Sequence, residues 1–416
     1  MKAIVIGGGI IGLSSAWFLR EGGWDVTVID KGDFTDNCSY GNAGYVCPSH
    51  FVPMAAPGIV MQGFKWMLNP QSPFYVKPRV NAALLQWGFQ FMKSANARNV
   101  EKSALPLRDI ALLSKALYES WATTPGFDFA YETKGMLEMF QTEANEHHAH
   151  HSVEQAKKLG LDAVLLSKEE VAQLEPHTQL NIRGAIHFKC DAHLYPGNLM
   201  KNLLSQLAQR QVTFIKNEAV TGFEKNGKDI SKVITANGRY EADLVVVAAG
   251  SWSKGVADML HTTMPMVGGR GYSVTFENSP YRLQHPAILT EGRVAISPMD
   301  GNKIRFGGTM EITALDAPPN FKRVQGILSS VKQFLPEYDI PMPEASKVWY
   351  GYRPCSADGL PYIGYLKKVP NCIMATGHSM LGVSLGPATG KLVSELAAQK
   401  ATSLDMAPFT PERFAK

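Results

Sequence analysis

The sequence has no run of about 18 consecutive apolar residues, the least that a membrane-spanning helix needs. Its most apolar stretch, residues 51–68, is interrupted by two prolines, two glycines and a lysine. The five cysteines are an odd number without a CxxC pair, which disfavours a disulfide framework or a zinc site. The strand-like run that starts at residue 2 leaves no room for a signal peptide. We therefore expect a cytoplasmic protein with free thiols and no transmembrane segment.

A strong charge of either sign is also missing. The net charge is +4 over 416 residues, and no basic block accompanies it. The sequence thus gives no support for a nucleic-acid partner, whereas a weak attraction to acidic membrane surfaces stays open. A hydrophobic content of 45% is typical of a globular protein with a large core. The length suits two or three domains, or two interleaved ones.

A histidine-rich segment, residues 146–151, resembles a metal site only at first glance. His147 and His151 share one face of a predicted helix. However, no acid or cysteine lies at metal-ligand spacing, and the HExxH pattern is absent. We predict a solvated helix face there, and no metal site in the protein.

The first thirty residues carry the strongest motif. An apolar, β-branched strand at residues 2–6 leads into a glycine turn, and a helix is predicted from Ile10 to Glu21. The turn has the form GxGxxG, with Gly7, Gly9 and Gly12. These glycines allow a tight turn, close approach of a pyrophosphate to the backbone, and close packing of helix on strand. The pattern predicts a dinucleotide whose phosphates lie at the helix N-terminus.

A second strand, residues 25–29, ends at Asp30. An acid at this position is expected to accept hydrogen bonds from the ribose hydroxyls of the adenosine half. It disfavours the 2′-phosphate of NADP, since two negative groups would meet. The first motif alone does not decide between FAD and NAD.

Later segments favour a flavin. A loop of small residues at 39–44 follows the first unit, and a buried strand at 242–252 ends in small residues. Near the C-terminus, the strand 372–376 feeds the turn 377–382 and then a helix to about Ala398. This arrangement makes a second anion site at a helix N-terminus, which a flavin ring needs because charge develops on it during reduction.

The motifs together resemble the D-amino-acid oxidase superfamily of flavoenzymes, and most closely its bacterial D-amino-acid dehydrogenase branch. They occur in the family's order over nearly the whole chain, and the combination is specific although each motif alone is not. Besides Gly7–Gly12 and Asp30 they are Asn42–Gly44, Gly271–Ser273, Gly307–Glu311, Gly351–Pro354, Asp358–Gly364 and Thr376–Gly382. The resemblance implies FAD as cofactor.

The turns, the acid and the resemblance together predict the cofactor-binding residues. They are Gly7, Gly9, Ile10, Ile11, Gly12, Asp30, Lys31, Ser39, Asn42, Ala43, Gly44, Val220, Ala249, Gly250, Gly351, Gly377, His378, Met380, Leu381 and Gly382. Sequence neighbourhood leaves open whether the flavin is bound covalently.

The expected fold class is α/β, with an α+β substrate part. We expect a discontinuous Rossmann-like FAD-binding domain made of residues 1–80, 185–255 and 345–416. The substrate domain would comprise residues 81–184 and 256–344. Short strands punctuated by glycine between residues 264 and 310 predict an antiparallel sheet, capped by helices, as one wall of the substrate pocket.

Three residues are candidates for substrate contact. Arg353 ends a strand-like run before Pro354, and its guanidinium matches a carboxylate; the alternative is a structural ion pair. In the resembling family this arginine position holds the substrate carboxylate. Tyr272 could donate to the same carboxylate or pack its ring in the sheet core. His50 follows the flavin loop, where it could face the ring or be solvated.

The predicted reaction is hydride transfer from the α-carbon of a D-amino acid to flavin N5, giving an imino acid that water hydrolyses to a keto acid. The alternative is oxidation of glycine, or of a secondary amine or imino acid such as D-proline, hydroxyproline or sarcosine. The resemblance implies a quinone or another respiratory acceptor. Residues 51–68 could be a loop over the active site or a peripheral contact with the inner face of a membrane. A flavoprotein acting on a macromolecule would need a basic face, and a non-catalytic scaffold would not need Arg353.

Overall fold

The protein is described by a computed structural model that covers residues 1–67, 72–77, 79 and 81–415, without the side chains of residues 64 and 65. Its strands are β1 (Lys2–Ile6), β2 (Asp25–Ile29), β3 (Tyr45–Val46), β4 (Phe74–Val76), β5 (Met136–Phe140), β6 (Ala163–Ser167), β7 (Gly184–Phe188), β8 (Ala192–His193), β9 (Thr213–Ile215), β10 (Val220–Asn226), β11 (Asp229–Thr235), β12 (Arg239–Glu241), β13 (Leu244–Val247), β14 (Met266–Phe276), β15 (Ala287–Leu289), β16 (Val294–Pro298), β17 (Ile304–Ile312), β18 (Val348–Ser356), β19 (Tyr362–Leu366) and β20 (Val369–Thr376).

The α-helices alternate with these strands. They are α1 (Ile10–Glu21), α2 (Ile59–Met67), α3 (Ala82–Ser94), α4 (Ala97–Ala122), α5 (Glu143–Lys158), α6 (Lys168–Leu174), α7 (Pro196–Gln209), α8 (Ser253–Met259), α9 (Lys322–Phe334) and α10 (Gly382–Ala397). In the described part of the chain, no helix combines the length and the apolar character needed to cross a bilayer. The end of the apolar segment 51–68 at Leu68, and the side chain of Phe64, lie outside the described residues.

A six-stranded sheet with the order β19-β20-β13-β1-β2-β9 forms the first layer. All its neighbouring strands are parallel except β19 and β20 at one edge. Its central strands are β-branched and buried on both faces, as parallel strands between two layers must be. Helices α1, α4, α7 and α10 cover one face, and the small sheet β10-β11-β12 covers the other.

Helices α1 and α10 pack closely because glycines leave no side chain between them. A Cβ at Gly386 would lie 2.7 Å from Ile10, and one at Gly390 would lie 2.4 Å from the backbone of Ser14. Both helices follow the carboxyl ends of parallel strands, so both N-termini point to the same edge of the sheet. That edge is where the two predicted anion sites meet.

The second layer is a nine-stranded sheet with the order β18-β14-β17-β16-β15-β5-β7-β6, and β4 adds to β17. Its pairs are antiparallel except β15–β5 and β17–β4. Helix α9 packs on one face through Val324, Ile327 and Val331. The opposite face turns toward the carboxyl edge of the first sheet. The two layers confirm the predicted α/β class with an antiparallel substrate sheet.

The structure divides the strands differently from the expected domain ranges. Strands β4 and β18, and all of β7 except Gly184, lie within the ranges assigned to the FAD-binding domain, yet they pair in the nine-stranded sheet. Phe127 and Phe129, which precede β5, pack on α1 and α4 next to Trp17 and Trp121 and form an aromatic cluster.

Candidate active site

A cavity of about 1860 Å³ lies between the carboxyl edge of the first sheet and the open face of the second. Pockets for drug-sized ligands have about 300–1,000 Å³, so this one has room for a dinucleotide and a substrate together. Every residue predicted to bind the cofactor lines it, except Gly12, Gly44 and Gly377. These three glycines have backbone roles.

The first turn is built as the glycine pattern requires. Gly7 has φ +113°, and a Cβ there would lie 2.4 Å from the carbonyl oxygen of Ala248. A Cβ at Gly12 would lie 1.8 Å from the carbonyl oxygen of Gly7, so any side chain would separate helix α1 from its strand. The Ile10 amide at the start of α1 donates to Ser39 Oγ over 3.0 Å. The small-residue loop is therefore fastened to the helix N-terminus.

Asp30 anchors this turn from the second strand. Its carboxylate accepts hydrogen bonds from the amides of Gly8 (2.6 Å) and Gly32 (2.7 Å). The ammonium group of the neighbouring Lys31 lies 3.3 Å from the ring centroid of Trp252, and burial lowers the pKa of Lys31. Asp30 and Lys31 both line the cavity, where the ribose contact expected of Asp30 stays a prediction.

The C-terminal turn offers a second set of groups. His378 is buried, and burial lowers its pKa to about 3, so the imidazole is neutral. Its Nε2 lies 2.9 Å from Thr389 Oγ1, whose own hydroxyl donates to the Leu385 carbonyl. Nε2 is therefore the donor, and Nδ1 is a buried acceptor without a partner among the described residues. This free acceptor, with the N-terminus of α10 beside it, fits a polar cofactor such as FAD.

Arg353 lies on β18 and extends across β14. A Cβ at Gly271 would lie 2.0 Å from its Nη1, so the glycine makes room for the guanidinium. Nη1 donates to the Thr309 carbonyl over 2.7 Å. Burial lowers the pKa of Arg353, and in the described chain no carboxylate pairs with it. A cation held out of water without a counter-ion favours binding of an anion.

Tyr272 also lines the cavity, but most of its side chain is buried in the sheet core. Neighbouring residues on a strand point to opposite faces, and Gly271 faces Arg353. The Tyr272 ring packs with the α9 core, and its hydroxyl donates to Glu311 over 3.1 Å and accepts from the Asn320 amide over 2.7 Å. The hydroxyl thus already has partners within the protein, and a bond from Tyr272 to a substrate carboxylate stays a prediction.

His50 lines the cavity and is half-buried. Burial lowers its pKa to about 4, so the ring is neutral at physiological pH. Cys47, His50 and Asp191 each place one atom able to bind a metal within 4.8 Å of the others, a grouping that the sequence analysis missed. Both oxygens of Asp191 already accept hydrogen bonds from Ser49, so we assign no metal to the cluster.

Glu138 and Arg293 are among the charged residues of the cavity lining that were not predicted. Glu138 is the only acid in the apolar strand β5, and burial raises its pKa while Arg293 opposes the rise. The guanidinium of Arg293 lies 4.8 Å from the ring centroid of Trp66. An acid inside an apolar strand was the available sequence signal. The arginine gave none, because it lies in a turn between β15 and β16.

The paired layers, the glycine turns and the cavity define a dinucleotide-dependent oxidoreductase. A family model described as FAD dependent oxidoreductase matches residues 2–396, and the chain belongs to this family. It is therefore an FAD-dependent oxidoreductase, as predicted, and FAD is its cofactor.

Known relatives extend over the whole chain. A D-amino acid dehydrogenase of Helicobacter pylori is 30% identical over 401 residues, 95% of this chain and 94% of the relative. One from Neisseria meningitidis serogroup C (strain 053442) is 29% identical over 410 residues, 97% of each. Among solved structures, glycine oxidase from Geobacillus kaustophilus has a TM-score of 0.78 at 22% identity, covering 99% of this chain and 98% of that one. L-proline dehydrogenase from P. horikoshii has a TM-score of 0.74 at 20% identity, covering 99% and 97%. The two structures share the fold.

Proposed function

We propose that the protein oxidises a D-amino acid to the imino acid, which water hydrolyses to a keto acid and ammonia. The unpaired guanidinium of Arg353 carries this proposal, because the described residues leave it without an anionic partner in a cavity that adjoins the FAD turns. The names of the full-length relatives support the same substrate class. FAD, when bound, accepts a hydride from the substrate α-carbon.

Arg353 acts by holding the substrate. A guanidinium donates two parallel hydrogen bonds to a carboxylate, which sets both the position and the orientation of the adjacent α-carbon. Fixing that carbon at the ring turns an encounter into an intramolecular step. The same anchor would serve a secondary amine such as D-proline or sarcosine, so the substrate test must include both kinds.

Products distinguish the two amine classes. We expect D-amino acids with a primary amine to yield ammonia and a keto acid when the purified protein is given an artificial electron acceptor. Secondary cyclic amines lose no ammonia on oxidation, since ring nitrogen stays attached. Turnover of D-proline or sarcosine with none of the primary D-amino acids would replace the proposal by the secondary-amine alternative. Turnover of L-isomers alone would contradict it.

We further propose that electrons pass to a quinone dissolved in a membrane, on which the protein docks with helices α2 and α3. Residues 37–100 contain no Asp or Glu but five basic residues: Lys65, Lys77, Arg79, Lys93 and Arg98. Such a segment is attracted to anionic lipid, by about 1 kcal/mol per basic residue near the surface.

The outer face of α3 supports this docking. Leu85, Phe89 and Met92 follow at helical spacing and are 65%, 62% and 58% exposed. The inner face is also apolar, since Trp87 and Phe91 pack in a core cluster. A helix that is apolar on both faces normally has a partner on each. The cavity is lined by residues of α2 and α3 as well, so this surface adjoins a route to the flavin site.

A further inference from the structure

Three side chains form a hydrogen-bonded series that runs from the buried acid Asp191 through Ser49 to His50 at the cavity wall. Asp191 is fully buried and accepts two hydrogen bonds from Ser49, from the amide to Oδ1 (3.0 Å) and from the hydroxyl to Oδ2 (2.6 Å). The same Ser49 Oγ lies 3.3 Å from Nδ1 of His50. Because the hydroxyl proton is committed to Asp191, the serine oxygen can only accept from the imidazole. Nδ1 of His50 therefore carries the proton, and Nε2 holds a free lone pair.

The backbone holds this chain beside the flavin turns. Val46 pairs with Ala192 in the ladder between β3 and β8, which brings Asp191 under the segment that leaves the flavin loop. The amide of Cys47 donates to Ser384 Oγ in the first turn of α10, over 2.9 Å. His50 comes three residues later and lines the cavity. In the described structure, its Nε2 has no hydrogen-bond partner.

We propose that Nε2 of His50 accepts a hydrogen bond from the substrate amine and orients it, while Ser49 and Asp191 are positioning residues that fix the histidine tautomer. The inference rests on the proposed amine oxidation. It assigns His50 to the substrate nitrogen, whereas Arg353 is assigned to the substrate carboxylate. The amine reacts in its neutral form, after its extra proton has been lost to solvent, and no proton is transferred to the ring. The amine N–H donates to Nε2, and its lone pair is left to support the bond that forms as the α-carbon is oxidised.

The surroundings suit a neutral acceptor. Burial lowers the pKa of His50 to about 4, which keeps the ring uncharged at neutral pH. Asp191 faces Cys47, Cys190 and, across the cavity wall, Glu138. Burial raises the pKa of Asp191 to about 6, so the carboxylate that fixes the tautomer is ionised above that pH. A neutral histidine in the cavity that Arg353 also lines adds no repulsion to the charge of that guanidinium.

The tautomer is tested by NMR of the holoenzyme labelled with ¹⁵N-histidine, and H50Q identifies the signal. We expect His50 at pH 8 to show a protonated Nδ1 and a bare Nε2. Ser49→Ala should convert it to a mixture or to the opposite tautomer. Asp191→Asn should do the same, because an asparagine amide can donate to the Ser49 hydroxyl and so reverse the direction of the hydrogen bonds from Ser49 to His50. A protonated Nε2 in the unaltered protein, or no change in S49A, would overturn the positioning roles. This result does not depend on turnover.

The amine contact is tested by the rate of flavin reduction at saturating D-amino acid. We expect His50→Leu to lower this rate about ten- to a hundredfold, in line with loss of one aligned acceptor. Affinity for a simple carboxylate without an amine should change less than about twofold. His50→Gln, which can place an acceptor near the same point, should recover part of the rate. His147→Leu, an exposed histidine on α5, is the matched control.

Three outcomes contradict the inference. Equal reduction rates for H50L and H147L would remove His50 from the reaction. A loss confined to carboxylate affinity would give it a different role. A stoichiometric metal, found by elemental analysis after dialysis against chelator, would make His50 and Asp191 metal ligands instead. If no amine reduces the flavin while the NMR result holds, the proposed function fails and the tautomer assignment survives.

Discussion

Replacing Arg353 by methionine removes the cation while keeping a side chain of similar length. In the unaltered protein the guanidinium has one bond, to the Thr309 carbonyl, and no carboxylate partner among the described residues. A bound carboxylate would complete it with two charge-assisted bonds. Breaking such a buried pair costs about 3–5 kcal/mol. Arg353 is half-buried and faces the cavity, so we take the lower end, about 3 kcal/mol.

A loss of about 3 kcal/mol corresponds to roughly a hundredfold weaker substrate binding. The assay is anaerobic stopped-flow reduction of the flavin at increasing concentrations of the best D-amino acid, which yields an apparent dissociation constant. Arg353→Lys should recover about tenfold, since it restores the charge without the planar fork. The unfolding midpoint of R353M should equal or exceed that of the unaltered protein, because an unpaired buried cation is removed. An apparent dissociation constant within about threefold of the original, with full flavin content, would refute the assigned role.

Three further predictions address the membrane surface, the buried histidine and the first turn. Phe89→Glu should reduce flotation with anionic vesicles at least about fivefold, because it replaces an apolar anchor by a negative charge near anionic lipid. The control Met342→Glu, at a residue that is 48% exposed, should not reduce it. Equal flotation of both variants, or no binding by the unaltered protein, would reject the docking surface. The pKa of His378 falls to about 3 on folding, so the unfolded chain takes up more protons below its ordinary pKa and stability is lost as the pH falls from about 6.5. His378→Asn should remove roughly 2 kcal/mol of that loss between pH 6.5 and 5, measured by urea unfolding, and an unchanged slope would count against a neutral buried ring. Gly7→Ala should release FAD, because the new Cβ would lie 2.4 Å from the Ala248 carbonyl oxygen. The control Gly58→Ala, at a glycine with φ +80° and open space around it, measures the cost of backbone strain alone, roughly 1–3 kcal/mol. Similar flavin content in both variants would contradict the steric account.

The local parts of the site were predictable because each depends on neighbours in sequence. The turn from Gly7 to Gly12 needs only the strand before it and the helix after it. The glycines at positions 382, 386 and 390 share one helix face, and two of them form the close contact with α1. Arg353 was singled out because a strand-like run, a proline and a family motif coincide there, although β18 continues past it to Ser356.

Contacts that depend on distant segments were not predictable. The sequence could not show that the Tyr272 hydroxyl bonds to Glu311 and to the Asn320 amide, because these partners lie 39 and 48 positions away. Ser49 and Asp191 are 142 positions apart and meet only through the β3–β8 ladder. The start of α4 at Ala97 was not predictable either, because the helix accommodates Pro106, a residue that normally breaks helices. In each case the residue types were evident from the sequence, whereas the partners that their side chains contact depended on tertiary structure.

One measurement tests the central claim most directly: anaerobic mixing of the purified holoenzyme with matched D- and L-amino acids, followed through the flavin absorbance. The account predicts that D-isomers bleach the flavin in a saturable way that R353M shifts to higher concentration, and that L-isomers leave it oxidised. Bleaching by L-isomers, or by no amino acid of either series, would contradict it.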